Sequence, residues 1–227
     1  MVRDLTYWGA ALHNGPPLSF RAWLTDAIVN LAGLILALGG AAFLMGWATV
    51  SGASGPVLMA LSLYAAALVA SFLASLVYNS GPWHAQRPLL RRLDHAAIYI
   101  KIAGTATPFA VIVASPFALS MMSLVWVLAL YGASRKLFFW WKPGRFDPFV
   151  YLGLAWFSAL PMVALPGLVP QATMWLMLAG GLIYTGGVYF YMRHDWPYAR
   201  ALWHICVLAA ASAFYAAVIL GAPGRLF

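Results

Sequence analysis

The chain has no glutamate and a single cysteine, and acidic and basic residues together make up only 8% of its 227 positions. Each shortage excludes something. One cysteine, Cys206, rules out an intrachain disulfide. Set inside an apolar run, it reads as a small packing side chain. Soluble domains carry about 25% charged residues. A chain with so little charge has no surface to offer water, and the bilayer is its natural solvent. The acids are Asp4, Asp26, Asp94, Asp147 and Asp195, set against thirteen Lys and Arg, for a net charge of +8. In a soluble protein that balance would suggest nucleic acid. Here the bases lie between apolar runs, so membrane lipids with anionic headgroups are the expected partners and nucleic acid is not. No secretory signal is expected, because the first 25 residues include polar and proline-rich stretches.

What is present is a series of long apolar runs. A helix needs ~20 apolar residues to cross the hydrocarbon core. Seven spans are predicted, at about Ala27–Val50, Pro56–Asn79, Leu93–Ser115, Phe117–Ser134, Pro148–Val169, Gln171–Met192 and Arg200–Ala222. The fourth is short. The fifth holds Pro161 and Pro166, which predicts a kink. No linker separates domains, so residues 1–227 read as one domain. The expected fold is an all-α seven-transmembrane helix bundle.

The loops alternate in charge. Arg3 and Arg21 precede the first span, Arg87, Arg91 and Arg92 follow the second, and Arg135, Lys136, Lys142 and Arg145 follow the fourth. Arg193 and Arg200 flank the last loop, and the intervening turns are bare. The positive-inside rule therefore places the N-terminus in the cytoplasm and the C-terminus outside, in a multi-pass protein of the inner (plasma) membrane. Between basic residues, Leu137–Trp141 reads as an interfacial anchor. The glycine pairs Gly180–Gly181 and Gly186–Gly187 read as surfaces for close helix contact.

Ionisable residues inside spans are costly and are functional candidates by default. They and their polar neighbours are Asp26, Asn30, Ser75, Asn79, Asp94, His95, Lys101, Arg200 and His204. With the predicted topology, most fall at one depth near the cytoplasmic leaflet. Spacing of i, i+4 puts Asp26 with Asn30, Ser75 with Asn79, and Arg200 with His204 on common faces. His95 points away from Asp94 and reads as packing. Lys101 lies some ~10 Å deeper than Asp94 at a rise of 1.5 Å per residue. The candidate polar cluster is Asn30, Ser75, Asn79, Asp94, Lys101, Arg200 and His204.

Several stretches resemble one family. SerLeuValTyrAsn at 75–79, ArgArgLeuAspHis at 91–95 and IleTyrIleLysIleAlaGlyThrAlaThrProPhe at 98–109 resemble the second and third helices of hemolysin III proteins, in the progestin and adipoQ receptor (PAQR) superfamily. GlyGlyLeuIleTyrThrGlyGlyVal at 180–188 and AlaLeuTrpHisIleCysValLeuAla at 201–209 resemble the sixth and seventh. The resemblance runs from about Trp23 to Val218. It implies seven helices with a cytoplasmic N-terminus and a buried zinc site. That site uses one His at the end of helix 2 and two His, spaced i, i+4, at the start of helix 7. A Ser one turn before the first His and an Asp at the start of helix 3 complete it. Eukaryotic members are receptors, some with ceramidase-like activity, in which metal-activated water would attack a lipid amide.

Carried over residue by residue, Ser75 and Asp94 match and are the candidate catalytic residues. His204 matches the second helix 7 His. Asn79 stands where the helix 2 His belongs, and Arg200 where the first helix 7 His belongs. Asn30 and Phe214 replace further family His. If a metal is bound, only His204 and Asp94 remain to ligate it. An amide oxygen is a poor zinc ligand, and a guanidinium has no free lone pair. No cofactor is therefore expected. The expectation is that Arg200 fills the space of the ion and pairs with Asp94, with Asn79, Ser75 and His204 completing the hydrogen bonding.

Three functions remain open on these residues. The first is a lipid-responsive or structural membrane protein with a degenerate metal site. The second is a zinc-dependent hydrolase of lipid amides or esters. The third is a cytolytic pore or channel, against which there is no continuous polar stripe through the bundle. Retinal-based sensing is disfavoured, since helix 7 has no lysine.

Overall fold

A computed structural model of the chain describes residues 19–82, 85–139, 146–193 and 195–222. Seven helical segments in it are long and apolar enough to cross a membrane. They are α1 (Phe20–Val50), α2 (Gly55–Ser80), α3 (Arg87–Val113), α4 (Pro116–Phe138), α5 (Asp147–Ser158, continued by a 3-10 turn at Leu160–Ala164), α6 (Gln171–Met192) and α7 (Ala199–Gly221). Neighbours in sequence pack side by side, and α1 also meets α7. The most enclosed span is α3, which touches α2, α4, α5 and α7. The outer surface is apolar, with Ile35, Val127 and Trp175 each about 60% exposed. Such a face is stable against lipid and costly against water.

The helix ends differ from the sequence reading in a consistent direction. Sequence alone begins the first span at Ala27 and the third at Leu93, stopping at charges. The helices begin earlier, at Phe20 and Arg87, and α4 runs on through Arg135 and Lys136 to Phe138. The charges are tolerated because they find partners. Lys136 Nζ is 2.6 Å from Asp147, and Arg92 Nη1 donates to the Leu137 carbonyl at 3.2 Å. Ser19 caps α1 by accepting from the Ala22 amide. As a result Asp26 and Asp94 sit about two turns inside their helices. The fourth span is 23 residues long and is not short. Of the anchor Leu137–Trp141, Leu137 and Phe138 belong to α4, while Trp140 and Trp141 lie outside the described residues.

The fifth span breaks where a kink was expected. Pro161 opens the 3-10 turn, and a turn with Gly167 at φ +78° follows. A proline ring cannot donate to the preceding turn, so the α-helix ends at Ser158.

Close helix contacts at glycine hold the frame, and two of them meet small side chains. A Cβ on Gly104 of α3 would meet Ala67 Cβ of α2 at 2.7 Å. One on Gly187 of α6 would meet Cys206 Cβ of α7, also at 2.7 Å. Each glycine pair of α6 is split in role. Gly180 and Gly187 face α7, Gly181 faces Trp156 of α5, and Gly186 has open space. Close approach of this kind drives association where the hydrophobic effect is absent.

Candidate functional site

Four helix ends meet on one side of the bundle: the start of α1, the end of α2 and the starts of α3 and α7. Asp26 comes from the second turn of α1 and is only 1% exposed. An isolated carboxylate there would be prohibitively costly, so its partners decide the site. From α7, Arg200 Nε lies 2.8 Å from Oδ2 and His204 Nδ1 lies 2.5 Å from Oδ1. The i, i+4 spacing on α7 puts both cationic side chains against one carboxylate. The arginine contact is an ion pair, poorly aligned for a hydrogen bond, and Arg200 Nη2 has no partner among the described residues.

The short contact to Asp26 makes Nδ1 of His204 the donor. Nε2 then faces Ser75 Oγ of α2 at 3.3 Å. Asn79 donates back to Ser75, to its carbonyl at 3.0 Å and its hydroxyl at 3.2 Å. Asn30 donates to the Asp26 carbonyl at 2.9 Å and lies 2.9 Å from His204 Nδ1. A chain of polar contacts thus runs Arg200, Asp26, His204, Ser75, Asn79, with Asn30 at its side.

Asp94 adjoins that chain through Ser75, and Lys101 lies apart from it. Arg200 does not pair with Asp94, as the sequence suggested, but with Asp26. The reason is adjacency: α7 packs along α1 over much of its length and meets α3 only lightly. Asp94 is half-buried beside Ser75, facing His204 and Lys101, and makes no ion pair among the described residues. Lys101 is 8% exposed, and its Nζ lies between two rings, 5.8 Å from the centre of Phe72 and 5.5 Å from that of Tyr184. His95 turns elsewhere and is 3.2 Å from the Tyr151 hydroxyl. Phe214 packs on Gly180. Asp26 was visible in the sequence as an embedded acid one turn before Asn30, but it was not placed in the cluster.

A family model described as Haemolysin-III related matches residues 25–215, which is most of the chain. The chain belongs to the haemolysin-III related family. A hemolysin-3 homolog of Bacillus subtilis (strain 168) is 28% identical over 86% of this chain and 92% of its own length. Hemolysin-3 of Bacillus cereus is 30% identical over 86% of this chain and 90% of its own. The human monocyte to macrophage differentiation factor is 29% identical over 69% of this chain and 67% of its own, which ties the chain to the PAQR superfamily. With seven spans, this haemolysin-III protein is an integral, multi-pass membrane protein, and an inner membrane is consistent with its bacterial relatives.

The zinc implied by the haemolysin-III resemblance can be tested against the donors present. His204 alone keeps a ligand's form, with Nδ1 fixed by a carboxylate and Nε2 turned inward. Catalytic zinc takes three protein ligands and structural zinc four. Beside His204 stand an amide, a hydroxyl, a guanidinium and the carboxylate of Asp26, with Asp94 facing it. Among the described residues no three His, Cys, Asp or Glu side chains are grouped to hold a metal. The only nearby acid on α3 is Asp94, and the acid that touches His204 is engaged by Arg200. This donor set does not fit zinc.

Proposed function

We propose that this chain is a metal-independent haemolysin-III protein in which a fixed guanidinium does the electrostatic work of the family's ion, within a lipid-responsive or structural membrane protein. One observation carries the reading: Asp26, nearly sealed from solvent, is held on one oxygen by Arg200 at 2.8 Å and on the other by His204 at 2.5 Å. Arg200 stands at the ligand position itself, so the cation is covalently part of α7. A permanent cation there would repel a divalent ion and lock α1 to α7. With the N-terminus cytoplasmic and the C-terminus outside, this network lies at the cytoplasmic leaflet, where anionic lipids are concentrated.

The cationic groups gathered at these helix ends support an anionic lipid headgroup as the responsive ligand. Arg87 is buried, its Nη2 reaches the Gly81 carbonyl at 3.4 Å, and its Nε and Nη1 have no partner among the described residues. Arg87, Arg91 and Arg200 all lie near Tyr78 at this end of the bundle. Guanidinium is well suited to phosphate.

Restoring the ligands tests the reading. The double substitution Asn79→His with Arg200→His rebuilds a three-histidine set with His204. The purified variant is expected to gain about one zinc per chain, by elemental analysis, with the parent chain near zero. Equal zinc in both proteins would end the guanidinium account.

A further inference from the structure

The polar contacts at the helix ends follow a chemical order. Asp26 Oδ1 accepts from His204 Nδ1 at 2.5 Å, and Nε2 of the same ring lies 3.3 Å from Ser75 Oγ. A neutral imidazole that donates from one nitrogen accepts at the other. Asn79 Nδ2 donates to Ser75 Oγ at 3.2 Å, which leaves that hydroxyl its own hydrogen to give. Among the described residues its acceptors are Nε2 of His204 and the carboxylate of Asp94. Given to Nε2, the hydrogen completes the order of a serine nucleophile, its base and the acid that orients the base, an arrangement recognised by geometry on unrelated folds. Three helices supply the groups: α2, α7 and α1. Asp26 and His204 are buried and Ser75 only partly so, which makes the hydroxyl the accessible member.

A cavity of about 140 Å3 lies deeper on the same three helices. Gly33 follows Asn30 by three residues, Phe72 precedes Ser75 by three and Leu208 follows His204 by four, so each of these wall residues shares a helix face with a member of the network. A water needs only ~10–15 Å3 of such space, and a cavity walled by hydrocarbon stays dry. The Tyr215 hydroxyl at its border already donates to the Gly40 carbonyl. Leu36 of α1 and Ser212 of α7 also border the cavity and are exposed, so it opens toward the bilayer. The space suits a hydrocarbon chain that arrives from the membrane.

We infer that Ser75, His204 and Asp26 form a metal-free acyl-transfer site whose substrate is a fatty acyl ester with its chain in this cavity. This chemistry rests on the metal-independent reading, because a metal on Nε2 would leave Ser75 without its base. Ser75 Oγ bonds to the acyl carbon while its proton passes to Nε2. The bond from that carbon to the alcohol oxygen then breaks, and the alcohol leaves with the proton. Water next attacks the acyl-serine and gives a proton to Nε2. The bond to Oγ breaks, Oγ recovers that proton, and the fatty acid leaves. Asn79 Nδ2 is a donor beside the carbonyl oxygen as charge develops there. Ser75 and His204 are the catalytic residues, and Asp26 is a positioning residue that holds the ring.

The test is covalent labelling of the full chain, in a neutral maltoside detergent, by an octyl fluorophosphonate. Oγ bonds to phosphorus and fluoride leaves, so a reactive serine keeps a permanent adduct. Peptide mass mapping is expected to place the adduct on Ser75, and a chelator is expected to change nothing. His204→Gln is expected to slow labelling at least ~100-fold. Asp26→Asn, taken as the monodisperse fraction, is expected to keep the parent's affinity for the reagent and to lose at least ~10-fold in maximal labelling rate, a split that a merely structural role would not give. An ethyl reagent, which cannot fill the cavity, is expected to react at least ~10-fold more slowly than the octyl one. No adduct on Ser75 in a zinc-free parent overturns the acyl-transfer site and leaves the metal-independent reading standing. Labelling that the chelator abolishes overturns both. Undiminished labelling in His204→Gln passes the base role to Asp94 and overturns the triad, and equal rates for the two reagents overturn the acyl chain as the cavity's occupant.

Discussion

Arg200 and Lys101 are both cations inside the same helix bundle, and the protein treats them oppositely. Arg200 sits at the helix ends against a carboxylate that is itself clamped by His204. Lys101 sits deeper, between aromatic rings, beside a cavity and without a carboxylate in contact. A charge with its counter-charge built in is part of the frame. A charge whose nearest acid, Asp94, lies beyond contact is a cost to the frame. Removing each partner in turn therefore has different consequences.

The largest effect is expected at Asp26. Asp26→Ala leaves the half-buried Arg200 and His204 without their shared counter-ion, and loss of one partner from a buried pair costs about 3–5 kcal/mol. A midpoint drop of that size in thermal unfolding would confirm that the pair belongs to the frame. A drop near zero would put Arg200 in the same class as Lys101. Next, the double variant Asp26→Ala with Arg200→Ala should be milder than the sum of its parts. A coupling of roughly 0.5–3 kcal/mol is normal for residues in contact, and strict additivity would break the comparison from the other side.

Lys101→Met should act in the opposite direction. It removes a buried charge that no contacting carboxylate offsets among the described residues and keeps the side-chain volume. A gain of about 1 kcal/mol is expected, since the lost cation–π contacts are themselves worth only about 0.5–2 kcal/mol. A clear loss of stability would mean that Lys101 is as structural as Arg200. The smallest effect is expected from Ser75→Ala, about 1 kcal/mol for the hydrogen bonds it shares with His204 and Asn79. A much larger loss would extend the rigid network across α2.

The bundle itself was legible in the sequence, because helix length and hydropathy are local properties. All seven predicted spans exist. Their ends were not legible, since a charge stops an apolar run on paper but continues a helix once Arg92 reaches the Leu137 carbonyl or Arg200 reaches Asp26. Depth could also be estimated, and it brought Asp26, Asn30, Ser75, Asn79, Asp94, Arg200 and His204 to one level. Pairing could not, because it depends on which helices are neighbours. Only the closure of α1 against α7 reveals that Asp26, and not Asp94, receives Arg200. The cavity beside Lys101 was equally hidden, as it is enclosed by side chains from five helices.

The most direct measurement is the metal content of the purified protein, taken by elemental analysis without chelator and repeated on His204→Ala. A guanidinium in the ion's place predicts far less than one zinc per chain in the parent and no change in the variant. Stoichiometric zinc in the parent that disappears with His204 would contradict the account.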